Sequence, residues 1–360
     1  MSSYTRYALR TALALPVLLL AAPELTHAQG APQPDPDRRT ITGEKVAIFN
    51  LAGRMRVEPG PGSAVVVEIT RGGADADDLR INELRRGETN VLAVAFPGDR
   101  IVYPALGRRV RTMQTVNEDG TWGSGMGRRD RRVTITSDGS GTEAYADLRV
   151  LVPRGQTISL HLGVGDVNVS NVEGNIAVDV AAASITTENT RGMLLLDAGS
   201  GETTVRNQRG DLVVDAGSGA ITLTDVDGSQ ILVDAGSGRI TADRLTARSI
   251  VVDAGSGSLR LGRVDAETMS LDCGSGSVDV QVSSSLRTLD IDGGSGNVTL
   301  RVPETIGARI EAETGRGGID VDLPMQVRRV GRDRLSATIG DGSAMVRIDS
   351  GSGRIRIVKG

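Results

Sequence analysis

Residues 212–238 read LVVDAGSGAITLTDVDGSQILVDAGSG. The string Asp-Ala-Gly-Ser-Gly opens twice in this stretch, at Asp215 and Asp234, and apolar residues flank it at alternate positions: Leu212, Val214, Ile221, Leu223, Ile231 and Val233. Alternation with period two is the mark of strands with one buried face, and Gly-Ser-Gly between two such strands is a corner. Outward along the chain the string recurs at Asp197 and Asp253, as Asp-Cys-Gly-Ser-Gly at Asp272, and as Asp-Gly-Gly-Ser-Gly at Asp292. Weaker copies stand at Glu313 and Asp349, and Asp179 and His161 fall into register going backward. Successive strong copies lie 18, 19, 19, 19 and 20 residues apart by subtraction.

A fixed period of this length predicts a repeat architecture. The expected fold is all-β: a parallel β-helix or β-solenoid of about ten coils of 18–21 residues over residues 154–360, stacked in order of sequence. Composition agrees. Aromatic residues make up 2% of the chain and glycine 47 of 360 residues, which suits stacked small aliphatics better than a core filled by rings. The small residue after each Asp (Ala198, Ala216, Ala235, Ala254, Cys273) points inward, so Cys273 reads as an inert core residue in an alanine slot. A single cysteine allows no internal disulfide.

The start of the chain reads as a secretion signal over residues 1–28. Arg6 and Arg10 precede the apolar run Ala12–Ala22, and Ala28 offers a small residue for cleavage. That run is too short to span a bilayer, no second one follows, and no transmembrane segment is expected in the mature protein. Export to the periplasm, cell surface or medium is the expected localisation. Residues 29–39 (QGAPQPDPDRR) read as a disordered, proline-rich leader, and residues 40–153 as an irregular β-rich N-terminal region. Within it, residues 99–132 break the strand pattern and concentrate Arg108, Arg109, Arg111, Arg128, Arg129, Arg131 and Arg132, read as a long loop.

Strand–glycine–strand at Asn50-Leu51-Ala52-Gly53-Arg54-Met55-Arg56-Val57, followed by the repeated Asp-Ala-Gly-Ser-Gly coils, resembles the bacterial "putative adhesin" family. The resemblance covers roughly residues 45–358 and implies a secreted β-solenoid of unknown function. That family has no agreed catalytic residues, so none is carried over.

The residue inventory argues against an enzyme. After the signal only His161 and Cys273 remain of their kinds, and there is no Gly-x-Ser-x-Gly elbow or phosphate loop. His161 is expected beside Asp179 as a surface imidazole. No cofactor is expected. The sharpest candidate is the column Asp197, Asp215, Asp234, Asp253, Asp272 and Asp292, which would stack about 5 Å apart. Three readings of it stand: a hydrogen-bonded corner row, a row covered by the arginines of 108–132, or a Ca²⁺ ladder. Two residues before each Asp, Leu195, Val213, Leu232 and Val251 form an outward apolar row that turns polar at Ser270, Asp290, Glu311 and Arg347. Either the N-terminal region folds over it, or it meets a partner or a second copy. The arginines could bind an anionic partner, although a net charge of −4 gives no general pull toward nucleic acid. The expected function is a non-catalytic, adhesion-like structural or binding module of the cell envelope, meeting a cell-surface, polysaccharide or envelope-protein partner. The alternatives are a carbohydrate-active β-helix resembling a polysaccharide lyase, and a periplasmic regulatory protein that binds a membrane partner. Arg354, Arg356 and Lys359 are expected to blunt the exposed last coil.

Overall fold

The computed structural model describes residues 36–106, 111–123, 131–283 and 285–360. The signal, most of the leader, and Arg108, Arg109, Arg128 and Arg129 lie outside the described residues. Residues 37–39, read as leader, belong instead to the strand Asp37–Ile41, which pairs antiparallel with Val65–Gly72.

The fold is all-β and rich in parallel pairs; the short turns Ala76–Asp78 and Pro104–Leu106 are the helical pieces among the described residues. Parallel registers carry the Asp column from coil to coil: His161 opposite Asp179, Asp179 opposite Asp197, then Asp215, Asp234, Asp253, Asp272 and Asp292. A second parallel ladder follows each corner, through Thr203, Ile221, Ile240, Leu259, Val278 and Val298. The alternating apolar residues are buried: Leu212, Val214, Ile221 and Leu223 are at most 1% exposed. Each coil therefore buries its inner face against its neighbours, as the sequence period demands.

The Gly-Ser-Gly corners show why glycine recurs. A Cβ on Gly219 would lie 1.5 Å from the Gly201 carbonyl oxygen, and one on Gly238 1.8 Å from that of Gly219. Only a residue without a side chain lets the coils approach this closely. A second bend has the left-handed conformation in six successive coils, at Asn171, Asn189, Asn207, Asp225, Arg244 and Arg263, with φ between 52° and 59°.

The expected sequential stacking fails at the C-terminal end. Asp292 lies opposite Asp349, and Asp349 opposite Glu313. Ile355–Lys359 likewise sits between Val298–Val302 and Ile319–Asp322. The last coil of the chain is thus inserted between two earlier ones. Arg354, Arg356 and Lys359 therefore do not blunt the end of the stack. That end is the coil carrying Glu313. Its strand Ala308–Thr314 is covered by Arg334–Ile339, which runs antiparallel and pairs in turn with Gln326–Val330. The stretch that follows Glu313, expected to continue the parallel stack, is this hairpin, and an antiparallel cover is one way to protect an edge.

At the other end, Lys45–Pro59 continues the ladder, with Phe49 opposite His161. Tyr145–Val152 and Thr89–Ala95 pair parallel with it, antiparallel strands join only beyond these, and residues 99–132 are not simply a loop. Arg100–Val102, Arg111–Val116, Arg131–Thr136 and Thr142–Glu143 form a separate four-stranded sheet. Its buried side chains include Ile101, Val102, Val116, Val133 and Ile135. Arg100, Arg111 and Arg132, exposed on these strands, mask this pattern in the sequence.

Candidate docking face

The Asp column and the apolar row share one outward sheet face. Successive strand residues alternate sides, so Leu232 and Asp234 point out while Ile231, Val233 and Ala235 point in. Asp197, Asp215, Asp234, Asp253, Asp272, Asp292 and Asp349 are all exposed. Asp253 Oδ1 accepts a hydrogen bond from the Gly255 amide (3.1 Å) and Asp292 Oδ1 from the Gly294 amide (3.0 Å). At Asp215 and Asp234 the equivalent amide donates instead to the preceding coil, Gly217 to Ala198 O (2.9 Å) and Gly236 to Ala216 O (3.0 Å). The corner hydrogen-bond role is thus met at some members of the row and not at others.

Partial burial, and then the flanking carboxylates, push the pKa values of Asp197, Asp234 and Asp272 above the usual aspartate value. Asp349 shifts the same way, from burial and then from Asp292 and Glu313. These four alternate with Asp179, Asp215, Asp253 and Asp292 along the ladder. Among the described residues no group of three or more His, Cys, Asp or Glu side chains is arranged to hold a metal ion. The Ca²⁺ ladder therefore has no support in the geometry.

The column ends in an aromatic cluster that the sequence reading missed. His161 Nδ1 lies 3.1 Å from Asp179 Oδ2, as expected of a pair in register. Its ring stacks on Phe49 with centroids 4.0 Å apart and planes parallel. Trp122 meets both rings edge-on, at 6.1 Å from Phe49 and 5.6 Å from His161. The imidazole keeps the carboxylate expected beside it but is packed against two rings and only partly exposed, where a surface group was expected. Among the described residues its hydrogen bond to Asp179 is its only one. Cys273 is fully buried, its thiol 3.1 Å from the carbonyls of Gly257 and Gly276, and burial raises its pKa, in keeping with an inert core role.

Among the described residues the N-terminal region does not cover the apolar row, contrary to one expectation. Leu195 is 41% exposed, Leu232 38% and Val251 40%, with Val213 partly exposed between them. The N-terminal strands extend the stack along its axis instead of folding back over this face. The arginines do not cover the Asp column either, as far as they are described. Arg111 and Arg132 are exposed on the four-stranded sheet, and Arg131 is tied to the Phe96 and Gly98 carbonyls and to Asp99.

Toward the C-terminal end the same face curls into a groove of about 830 Å³. Its floor continues the two rows, and its far wall is the hairpin with Arg328, Arg329 and Arg334. Cross-strand registers place Ser336 beside Glu311 and Arg329 beside Ser336, so the hairpin extends the row that begins with Leu195. Arg347 lies between Asp290 (3.8 Å) and Glu311 (4.0 Å), and Arg334 pairs with Glu313. Among the described residues Asp272, Asp292, Asp349, Arg328 and Arg329 have no ion-pair partner.

The left-handed bends carry a different row. Asn189 Nδ2 donates to Asn171 Oδ1 (3.0 Å) and Asn207 Nδ2 to Asn189 Oδ1 (2.6 Å). Then Arg244 pairs with Asp225 and Asp243, and Arg263 with Asp243. Hydrogen bonds from these guanidinium groups hold Asp225 and Asp243 below the usual aspartate range. The recurrence of asparagine at 171, 189 and 207, 18 residues apart, was the available sequence signal.

Comparison with known proteins adds a family. No curated protein matches the chain. A solved structure described as a "putative cell adhesion protein" from Clostridium sporogenes ATCC 15579 aligns over 90% of this chain and 100% of its own, at 12% identity and a TM-score of 0.19. A score that low does not establish a shared fold. The family described as Toastrack DUF4097 matches residues 128–358. That match takes in the Asp column, the apolar row and the groove, and the chain belongs to the Toastrack DUF4097 family.

Proposed function

We propose that the protein is an exported, non-catalytic docking module of the cell envelope, adhesion-like in that a rigid array displays one face to a partner. In this reading the array is a rod of about ten coils. The observation that carries it is the uncovered row Leu195, Val213, Leu232 and Val251 running beside the Asp column on one sheet face. Aliphatic side chains aligned over successive coils are a costly way to face water, and a contiguous exposed patch of this kind marks an interaction surface. The parallel ladders hold it rigid, so little order is lost on binding. The poor catalytic inventory, with one histidine packed against two rings, supports a binding role over chemistry.

The test is site-specific photo-crosslinking in the producing cell. A photoreactive residue replaces Leu232, and in a control replaces Thr222 on the opposite ladder. Capture of a discrete envelope or surface species from position 232 and not from 222 supports the reading. Equal capture at both positions, or retention of the chain in the cytosol on fractionation, refutes it.

A further inference from the structure

Compensated and uncompensated charges separate across the groove. Along the row two residues before the Asp column, Asp290, Arg347 and Glu311 neutralise one another. Along the column itself, Asp272, Asp292 and Asp349 stack coil on coil with no cation among the described residues to balance them. Their spacing of about 4.8 Å is that of the ladder. Across the groove, exposed Arg328 and Arg329 are likewise unpaired. The volume, 830 Å³, is that of a site for an organic ligand and far more than a metal ion needs. The carboxylate floor runs on out of the groove, past Asp253 and Asp234, toward Asp197.

A ligand matched to this arrangement is cationic along most of its length, anionic where it meets the hairpin, and extended along the stack. A basic peptide has that pattern at one place only, its C-terminal end. Its side-chain cations fit over the carboxylate column, while its terminal carboxylate suits a pair of guanidinium groups, which bind carboxylates through paired N–H donors. The same two arginines would repel a basic side chain in mid-chain, which sets the direction. We infer that the groove and the adjoining Asp column bind the basic C-terminal tail of a partner protein, with the tail's carboxylate held by Arg328 and Arg329 and its ammonium or guanidinium groups over Asp349, Asp292 and Asp272. This rests on the reading of the face as a docking face and gives its partner a chemistry.

The test uses the purified chain and a fluorescein-labelled peptide of alternating lysine and serine, with either a free C-terminal carboxylate or an amide. Fluorescence anisotropy at near-physiological salt follows binding. Opposite charges facing each other at close range predict that D272N/D292N/D349N weakens the free-acid peptide about tenfold or more. A control with the same charge change away from the groove, D225N/D243N/D265N, should weaken it less than about twofold, since screening limits distant charges. Amidation of the peptide, or R328A/R329A, should weaken binding about threefold or more. Circular dichroism checks that each variant is folded. Absence of binding to the unmodified chain overturns the inference, as does an equal loss in the control triple or an amide that binds as tightly as the acid. Because crosslinking from position 232 does not depend on this peptide, a partner captured there with no peptide binding would sink this inference and leave the docking reading standing.

Discussion

Two rows of polar side chains run side by side through the central coils, and the stack treats them oppositely. At the left-handed bends each coil satisfies its neighbour: asparagine to asparagine at 171, 189 and 207, then aspartate to arginine at 225, 243, 244 and 263. At the Gly-Ser-Gly corners the neighbours are all carboxylates, held one coil apart with no cation between them. The bend row lowers the pKa values of Asp225 and Asp243, whereas the corner column raises those of Asp197, Asp234, Asp272 and Asp349. The fold thus has a working solution for stacking polar residues and does not apply it on the docking face. A repeated local conflict that leaves stability unserved points to function.

The largest expected effect comes from breaking the frame that both rows depend on. In Gly238→Ala the new Cβ would meet the Gly219 carbonyl at 1.8 Å, and because that obstacle is backbone the coils must separate. Overpacking against backbone predicts a loss of about 3 kcal/mol or more, read as a lower melting temperature or denaturant midpoint. Ser237→Ala beside it should cost far less. A glycine variant that melts normally would show that the corners are looser than described.

Next come the bends. Asn189 has φ of 55° and bonds to Asn171 and Asn207. Asn189→Ala loses both bonds and puts an ordinary side chain in the left-handed region, for a cost of about 1–2 kcal/mol. Asn189→Gly keeps the backbone conformation easy, so the difference between the two variants separates backbone from ladder. If alanine and glycine cost the same, the backbone contributes nothing there.

These bends also mark where the sequence stops being readable. Strand alternation, corner position and register of the central coils follow from Asp-Ala-Gly-Ser-Gly and its apolar flanks, since slipping by one residue would turn every buried side chain outward. The neighbour relations of the last coils do not. Each coil presents the same pattern, so Leu289 accepts Val346 beside it as readily as Ile310, and only three-dimensional packing chooses. The bend column changes from asparagine to aspartate to arginine along the stack, which hides a constant conformation behind changing chemistry. The docking face was half legible: Leu195, Val213, Leu232 and Val251 could be placed outward from period two alone. The groove could not, because it depends on a hairpin whose strands, QVRRV and RLSATI, have no Asp-Ala-Gly-Ser-Gly corner between them to place them. Trp122 and Phe49 lie far apart in the chain and meet at His161 only through the register of Lys45–Pro59.

The smallest expected effect is the one that separates the two rows most directly, because its sign differs between them. Asp234→Asn removes a charge that burial and its two acidic neighbours disfavour, so the variant should melt at or slightly above the temperature of the unmodified chain at neutral pH. Asp225→Asn removes a charge that Arg244 favours and should melt slightly lower. The pH dependence follows from the same signs. In the column the folded chain holds protons more tightly than the unfolded one, so its repulsion is present above the raised values and is relieved as the pH falls through them toward the ordinary aspartate value of 3.8. At the bends the folded-state values are depressed. Their contribution is complete above 3.8 and is lost as the pH falls below it. A triple D197N/D234N/D272N variant should therefore show its greatest advantage near neutral pH, and that advantage should shrink as acid is added, until near pH 4 the two chains melt together. If the advantage instead stays constant with pH, the carboxylates of the column do not repel one another, and the contrast between the two rows would have to rest on hydrogen bonding alone.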